Sequence, residues 1–252
     1  MTGPVPDTTR LAAASLAAGD PTGWFEQLYA EAGAGTAEVP WDVPRPSSLL
    51  IEWARTGAVV GGGRSALVVG CGLGRDAEFL AALGFVTTGF DIAATAVRTA
   101  RERHPDSPVE YVVADLLDPP ASWRGGFDLV VESNNVQALP KPARDRAIAN
   151  VGPLVAPGGT LLVVAVAAIG TGTAVAADAA AATGAGAATD DTAAAAAAAT
   201  TGADAGGPPW PLTRAEINAF AGPGLTPVLV AELTDAGDPL IRRWRAEFRA
   251  AG

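Results

Sequence analysis

The feature that most constrains this chain is a repeated order: a short apolar run, a glycine or acidic break, then a helix-length segment. Ala66 to Val69 reads as a strand that stops at Gly70-Cys71-Gly72-Leu73-Gly74, and Arg75 to Leu83 then reads as a helix. Val86 to Phe90 is a second strand closed by Asp91, followed by helical Ala93 to Arg103. Val109 to Ala114 is a third strand closed by Asp115, and Phe127 to Val131 a fourth closed by Glu132. Arg144 to Val155 is helical, with Ile148, Val151 and Val155 on one face, and Pro157-Gly158-Gly159 turns into a fifth strand, Thr160 to Val166. Strands joined through helices run parallel, with helices packed on both faces of the sheet.

The flanks are different. Residues 1–20 read as a loose arm or short helix, and Trp24, Phe25, Leu28 and Tyr29 recur at helical spacing. Three prolines between Pro40 and Pro46 exclude a regular helix there, and Ser47 or Ser48 can cap a helix through Leu49, Leu50, Trp53 and Ala54. Half of residues 166–207 are alanine, with almost no larger apolar side chain. That segment reads as a mobile low-complexity insertion; a partly helical lid is the alternative. Thr213 to Glu216 form a capping box opening a helix through Phe220, and Leu225 to Leu233 and Arg242 to Arg249 form a closing strand pair. The expected organisation is an N-terminal helical arm and cover over residues 1–64, and a sheet domain over 65–252.

Composition narrows the function. The 252 residues carry 17 basic and 27 acidic side chains, a net charge of −10. Phosphate recognition needs a basic face, so nucleic acid and anionic membranes are excluded as expected partners. Cys71 is the one cysteine and His104 the one histidine. An intrachain disulfide is excluded and no metal site is expected. His104 sits in an Arg-Glu-Arg-His-Pro stretch and reads as a surface helix end. The longest apolar run, Leu161 to Ile169, is too short to span a bilayer, and the N-terminus lacks a signal-peptide layout. A cytoplasmic protein is expected.

The chemistry concentrates where the strands end. Glycines at 70, 72 and 74 let a ligand approach the backbone, and the following helix start offers free N–H groups. Asp91, 19 residues after Gly72, is placed to accept hydrogen bonds from a ribose diol or to cap the next helix. Asp115 and Glu132 end the next two strands, as ligand groups or as solvated strand ends. Ser133, Asn134, Asn135 and Gln137 follow the fourth strand, either as hydrogen-bonding partners of a substrate or as loop caps. A dinucleotide fingerprint GxGxxG would need glycine where Arg75 stands. A short-chain dehydrogenase Tyr/Lys pair is excluded, since Lys141 is the one lysine and the tyrosines are Tyr29 and Tyr111.

The series GxGxG, Asp91, Ala114-Asp115-Leu116 and Leu154-Val155-Ala156-Pro157-Gly158-Gly159-Thr160-Leu161 resembles the class I S-adenosylmethionine (SAM) methyltransferases. The resemblance implies a Rossmann-like α/β fold, a seven-stranded mostly parallel sheet with an antiparallel final strand. It implies SAM as cofactor, held by Gly70, Cys71, Gly72 and Gly74, by Asp91 and Ile92, by Ala114, Asp115 and Leu116, and by Glu132. Upstream, WFEQLY and PWDVPRPSSLL are similar to a region of the thiopurine, thiol and halide methyltransferase group. That likeness implies that Trp41 and Arg45 cover the bound SAM, with Pro44 standing where the group commonly has glycine. Trp41 serves equally to pack the arm onto the core. Ser133, Asn134 and Gln137 would then meet a small-molecule methyl acceptor, a thiol or other soft nucleophile that needs no dedicated base. No catalytic residue is assigned. An NAD(P)-dependent oxidoreductase and a non-catalytic SAM-binding protein are the alternatives.

Overall fold

The computed structural model describes residues 6–168, 207–235 and 239–252. The insertion expected at 166–207 falls, from 169 to 206, outside the described residues. The five expected parallel strands form as β1 Ser65–Val69, β2 Val86–Asp91, β3 Glu110–Val113, β4 Phe127–Ser133 and β5 Val155–Val166. The closing pair is β6 Leu225–Thr234 and β7 Arg242–Ala250. The sheet order is β3-β2-β1-β4-β5-β7-β6, with β7 antiparallel to both its neighbours and the other six strands parallel.

Alternation of side chains builds two cores from one sheet. Leu67 and Val69 of β1, Val130 of β4 and Leu161, Val163 and Ala165 of β5 belong to one buried cluster. Ala66 and Val68, Leu129 and Val131, and Leu162 belong to the other. The second face is covered by α3 Ser48–Thr56, α4 Arg75–Ala82 and α5 Ala94–Arg103. The first is covered by α6 Ala143–Val151, α7 Arg214–Ala219 and the N-terminal helices α1 Asp7–Ala17 and α2 Gly23–Gly33. Trp24, Phe25, Leu28 and Tyr29 of α2 thus share one cluster with the sheet, as their helical spacing predicts.

Two local expectations are corrected. Helix α6 stops at Val151 and passes into a 3-10 turn, Gly152–Leu154, while Val155 starts β5 opposite Phe127. Pro153 has no N–H and its ring opposes a continuing α-helix, which is why the apolar spacing through Val155 overran the helix. Ser47 occupies the N-cap of α3, but its side chain makes no capping bond; its backbone N–H donates instead to Asp76 Oδ1 at 2.8 Å. The Thr213 capping box forms as expected.

Long-range polar contacts fasten the arm to the sheet. Glu26 of α2 accepts from both the backbone N–H and the hydroxyl of Thr95, satisfying a donor at the start of α5. Arg103, at the end of α5, donates to both carboxylate oxygens of Asp42 at 2.6 and 2.8 Å. On the other face Trp53 Nε1 donates to Glu247 Oε2 on β7 at 2.9 Å.

Candidate active site

Register brings the ends of β1, β2 and β4 to one edge: Val69 lies opposite Phe90 on one side and Glu132 on the other. There a cavity of about 1180 Å3 opens between the sheet edge and the N-terminal arm. A single drug-sized ligand occupies a pocket of roughly 300–1,000 Å3, so the space suits two molecules side by side. Its lining includes Gly70, Cys71, Gly72 and Asp91 and, from the turn after β4, Ser133, Asn134, Asn135 and Gln137.

The glycine loop is shaped by what lies beside it. Gly70 has φ +58°, and a Cβ there would fall 1.9 Å from Asn135 Nδ2. Both facts require glycine, because L-residues avoid that backbone region and no space remains. Gly74 starts α4 at φ +98°, where a Cβ would meet the Tyr111 hydroxyl at 2.2 Å. Cys71 is buried, and burial together with the nearby Asp91 pushes its thiol well above its ordinary pKa, so it stays protonated.

Asp91 is held in place from both sides. Its Oδ2 accepts the Gly72 N–H at 3.0 Å and its Oδ1 the Ala93 N–H at 2.9 Å. Burial raises its pKa from 3.8 to about 6, and the backbone donors oppose that rise. A carboxylate offers about four acceptor sites, more than the backbone donors around Asp91 use, so acceptor capacity remains for a ligand in the cavity. Capping and ligand reach therefore coexist in this residue.

Above the loop lies an aromatic wall. Trp41 Nε1 donates to Tyr29 Oη at 2.7 Å, and Trp41 stands edge-on to Trp24 and Tyr29, each with ring centroids 6.2 Å apart. Trp41 is half-buried against the core and lines the cavity, so packing and lining are not alternatives here.

Several expected positions lie away from the cavity lining. Arg45 is exposed on the loop. Gly74, Ile92, Ala114, Asp115 and Leu116 sit along the same sheet edge but outside the lining, toward β3. Asp115 Oδ1 accepts the Leu117 N–H at 2.7 Å in its own turn, and Leu116 is buried in the core. Glu132 is fully buried beneath the lining; its Oε1 accepts the N–H groups of Asn135 and Val136, each at 2.8 Å. It thus shapes the turn after β4 from within. His104 is the C-cap of α5, the helix end read from the sequence, and is half-buried where it also lines the cavity. Arg243 of β7 also reaches the lining, 4% exposed and ion-paired with Asp235. Arg243 meets Asn134 across 109 residues and Glu26 meets Thr95 across 69, contacts that nothing local in the sequence marks.

Residues 66–159 match the family model described as a methyltransferase domain. The chain is 34% identical over 113 residues to a ubiquinone biosynthesis O-methyltransferase of Thiobacillus denitrificans, covering 44% of this chain and 47% of that one. It spans about half the length of the curated relatives it matches. A structure solved in work on the conversion of a disulfide bond into a thioacetal group during echinomycin biosynthesis superposes with a TM-score of 0.65 at 21% identity. That match covers 90% of this chain and 92% of the other. The N-methyltransferase NodS from Bradyrhizobium japonicum, crystallised with S-adenosyl-L-homocysteine (SAH), superposes with a TM-score of 0.59 at 18% identity, covering 90% of this chain and 100% of that one. Fold and family model agree over the sheet: residues 66–159 match the methyltransferase-domain model, and the chain shares the Rossmann-like architecture of these solved structures. Among the described residues no helix is long and apolar enough to cross a membrane.

Proposed function

We propose that the chain is a SAM-dependent methyltransferase acting on a small-molecule acceptor, with a thiol or other soft nucleophile as the leading class. The observation that carries this reading is one continuous cavity from Gly70, Gly72 and Asp91 to Ser133, Asn134 and Gln137. The residues suit the cofactor: a loop with glycine on either side of the buried Cys71, and a buried carboxylate with acceptor capacity to spare.

SAM supplies, when bound, a methyl group on a sulfonium already activated for displacement. The chain's own part is alignment and exclusion of water. Asp91 would accept hydrogen bonds from the ribose hydroxyls, and Gly70, Cys71 and Gly72 would hold the rest of the cofactor. Trp41 and Tyr29 present aromatic rings from the arm, in keeping with residues 1–64 as a cover. By the family resemblance Gly74, Ile92, Ala114, Asp115 and Leu116, on the same edge outside the lining, would meet the adenine, and Arg45 would belong to the cover; Glu132 supports the turn after β4. The acidic chain, with a net charge of −10, is read as a cytoplasmic enzyme of small molecules rather than of nucleic acid. The thiol preference rests on the likeness of Trp24 to Pro46 to the thiopurine, thiol and halide group. An oxygen acceptor is the second reading, favoured by the name of the Thiobacillus relative.

Incubation with methyl-labelled SAM and parallel panels of thiols and phenols tests both readings. Label should appear on a thiol; label on phenols alone selects the second reading. Bound SAH with no transfer to any acceptor supports a non-catalytic SAM-binding protein instead.

A further inference from the structure

The turn after β4 lines the cavity with hydrogen-bonding side chains whose oxygens each already accept a bond from the protein. Gln137 is 4% exposed and lines the cavity. Its Oε1 accepts the Val166 N–H at the end of β5, at 2.7 Å. A backbone N–H can only donate, so the amide end facing it must be oxygen, and the NH2 end is turned away from β5. Among the described residues that NH2 has no partner. The turn itself is pinned, because Gln137 O accepts the Trp210 N–H at 2.7 Å.

Ser133 repeats the arrangement. Its Oγ accepts from Asn134 Nδ2 at 3.3 Å, which leaves its hydroxyl hydrogen for another partner. Asn134 Oδ1 in turn takes Arg243 Nη1 at 3.4 Å. Arg243 is ion-paired with Asp235, both nearly buried, so the guanidinium brings no uncompensated charge to this turn. Donors therefore line the pole without a net positive field.

We infer that Ser133 and Gln137 form a donor pole that recognises a neutral carbonyl-type oxygen on the methyl acceptor, such as an amide or ketone beside the nucleophile. The inference rests on the methyltransferase reading, since it takes the cavity wall formed by the turn after β4 as the acceptor side. A buried donor gains from meeting an oxygen and is left unsatisfied by an apolar group, so an acceptor lacking the carbonyl is discriminated against. A carboxylate gains nothing further, because Asp235 already holds the nearest cation.

The test is acceptor binding to the SAH-saturated protein, followed by calorimetry and independent of turnover. The probes are 2-mercaptobenzamide, thiophenol and 2-mercaptobenzoate. The wild type should bind the amide about tenfold or more tightly than either other probe, the equivalent of about 1.4 kcal/mol. Gln137→Glu keeps an oxygen for the Val166 N–H, removes the NH2 and adds an ionisable group, so its effect is read beside that of an uncharged variant. Ser133→Ala removes the hydroxyl without a charge and serves if the glutamate variant does not fold. Each should lose the preference for the amide while SAH affinity stays within about twofold. No measurable preference in the wild type, a preference that survives in the variants, or tighter binding of the carboxylate overturns the inference. A wild type that does not bind SAH overturns the methyltransferase reading itself.

Discussion

Replacing Glu132 with Gln should change how stability depends on pH, in a direction opposite to that of most acidic residues. Glu132 is fully buried on β4 between Val69 of β1 and Val163 of β5. Its Oε1 accepts two backbone N–H groups, while Oε2 has no partner among the described residues. Burial raises its pKa from 4.5 to about 7, against the pull of those two donors. The folded state therefore holds the proton more tightly than the unfolded state. The stability that Glu132 contributes is fully present below 4.5 and is lost as pH rises through about 7. At about 1.4 kcal/mol per unit, the shift corresponds to roughly 3 kcal/mol of destabilisation once the group is ionised. Glutamine keeps the shape and the accepting oxygen and cannot ionise. Its NH2 replaces an oxygen that is already unpartnered, a cost that does not vary with pH. Urea unfolding of both proteins between about pH 5 and pH 8 should show their stability difference shifting in favour of the glutamine variant as pH rises, by up to roughly 3 kcal/mol. The difference, rather than either curve, isolates Glu132, because Asp91 contributes with the same sign between 3.8 and about 6. A difference that is constant with pH, or that shifts the other way, refutes the reasoning.

The same linkage acts on ligand binding at Asp91. Ribose hydroxyls favour its ionised form, so SAH affinity measured by calorimetry should fall by up to about tenfold per pH unit below its pKa of about 6. Asp91→Ala should weaken SAH by roughly 2–4 kcal/mol, and binding equal to the wild type would remove Asp91 from the site. Gly70→Ala forces a side chain into a positive-φ position 1.9 Å from Asn135 Nδ2, so it should lower stability by about 1–3 kcal/mol and weaken SAH together. An unchanged melting temperature and affinity would refute that account of the loop. Trp41→Ala removes a wall of the cavity and the bond to Tyr29. It should raise the SAH dissociation constant by about tenfold with a small drop in melting temperature, whereas a large drop with intact affinity would make Trp41 a packing residue alone.

What was legible in the sequence is what short-range physics dictates. Strand-length apolar runs, glycines at a strand end and an acid closing β2 specified the parallel sheet and the edge where its loops meet. The capping box at Thr213 was visible because both its partners lie within one turn. The overrun of α6 past Val151 shows the limit of periodicity: Val155 is buried as its spacing demands, but on a strand. Contacts made by folding left no local mark. Arg103 meets Asp42 across 61 residues, and Arg243 meets Asn134 across 109. The burial of Glu132 was equally hidden, since an acid at a strand end reads as solvent-facing until its neighbours β1 and β5 enclose it. The sites of Ser133 and Gln137 could be placed from sequence, but the orientation of their donors depends on Val166 and Asn134 in space.

The central claim is that the edge formed by Gly70, Gly72 and Asp91 is a SAM site. Titration calorimetry of the wild-type protein with SAH and, separately, with NAD tests it most directly. Saturable binding of SAH at one site per chain, and none of NAD, is the expected result. Binding of NAD, or a chain that is folded yet takes no SAH, would contradict it.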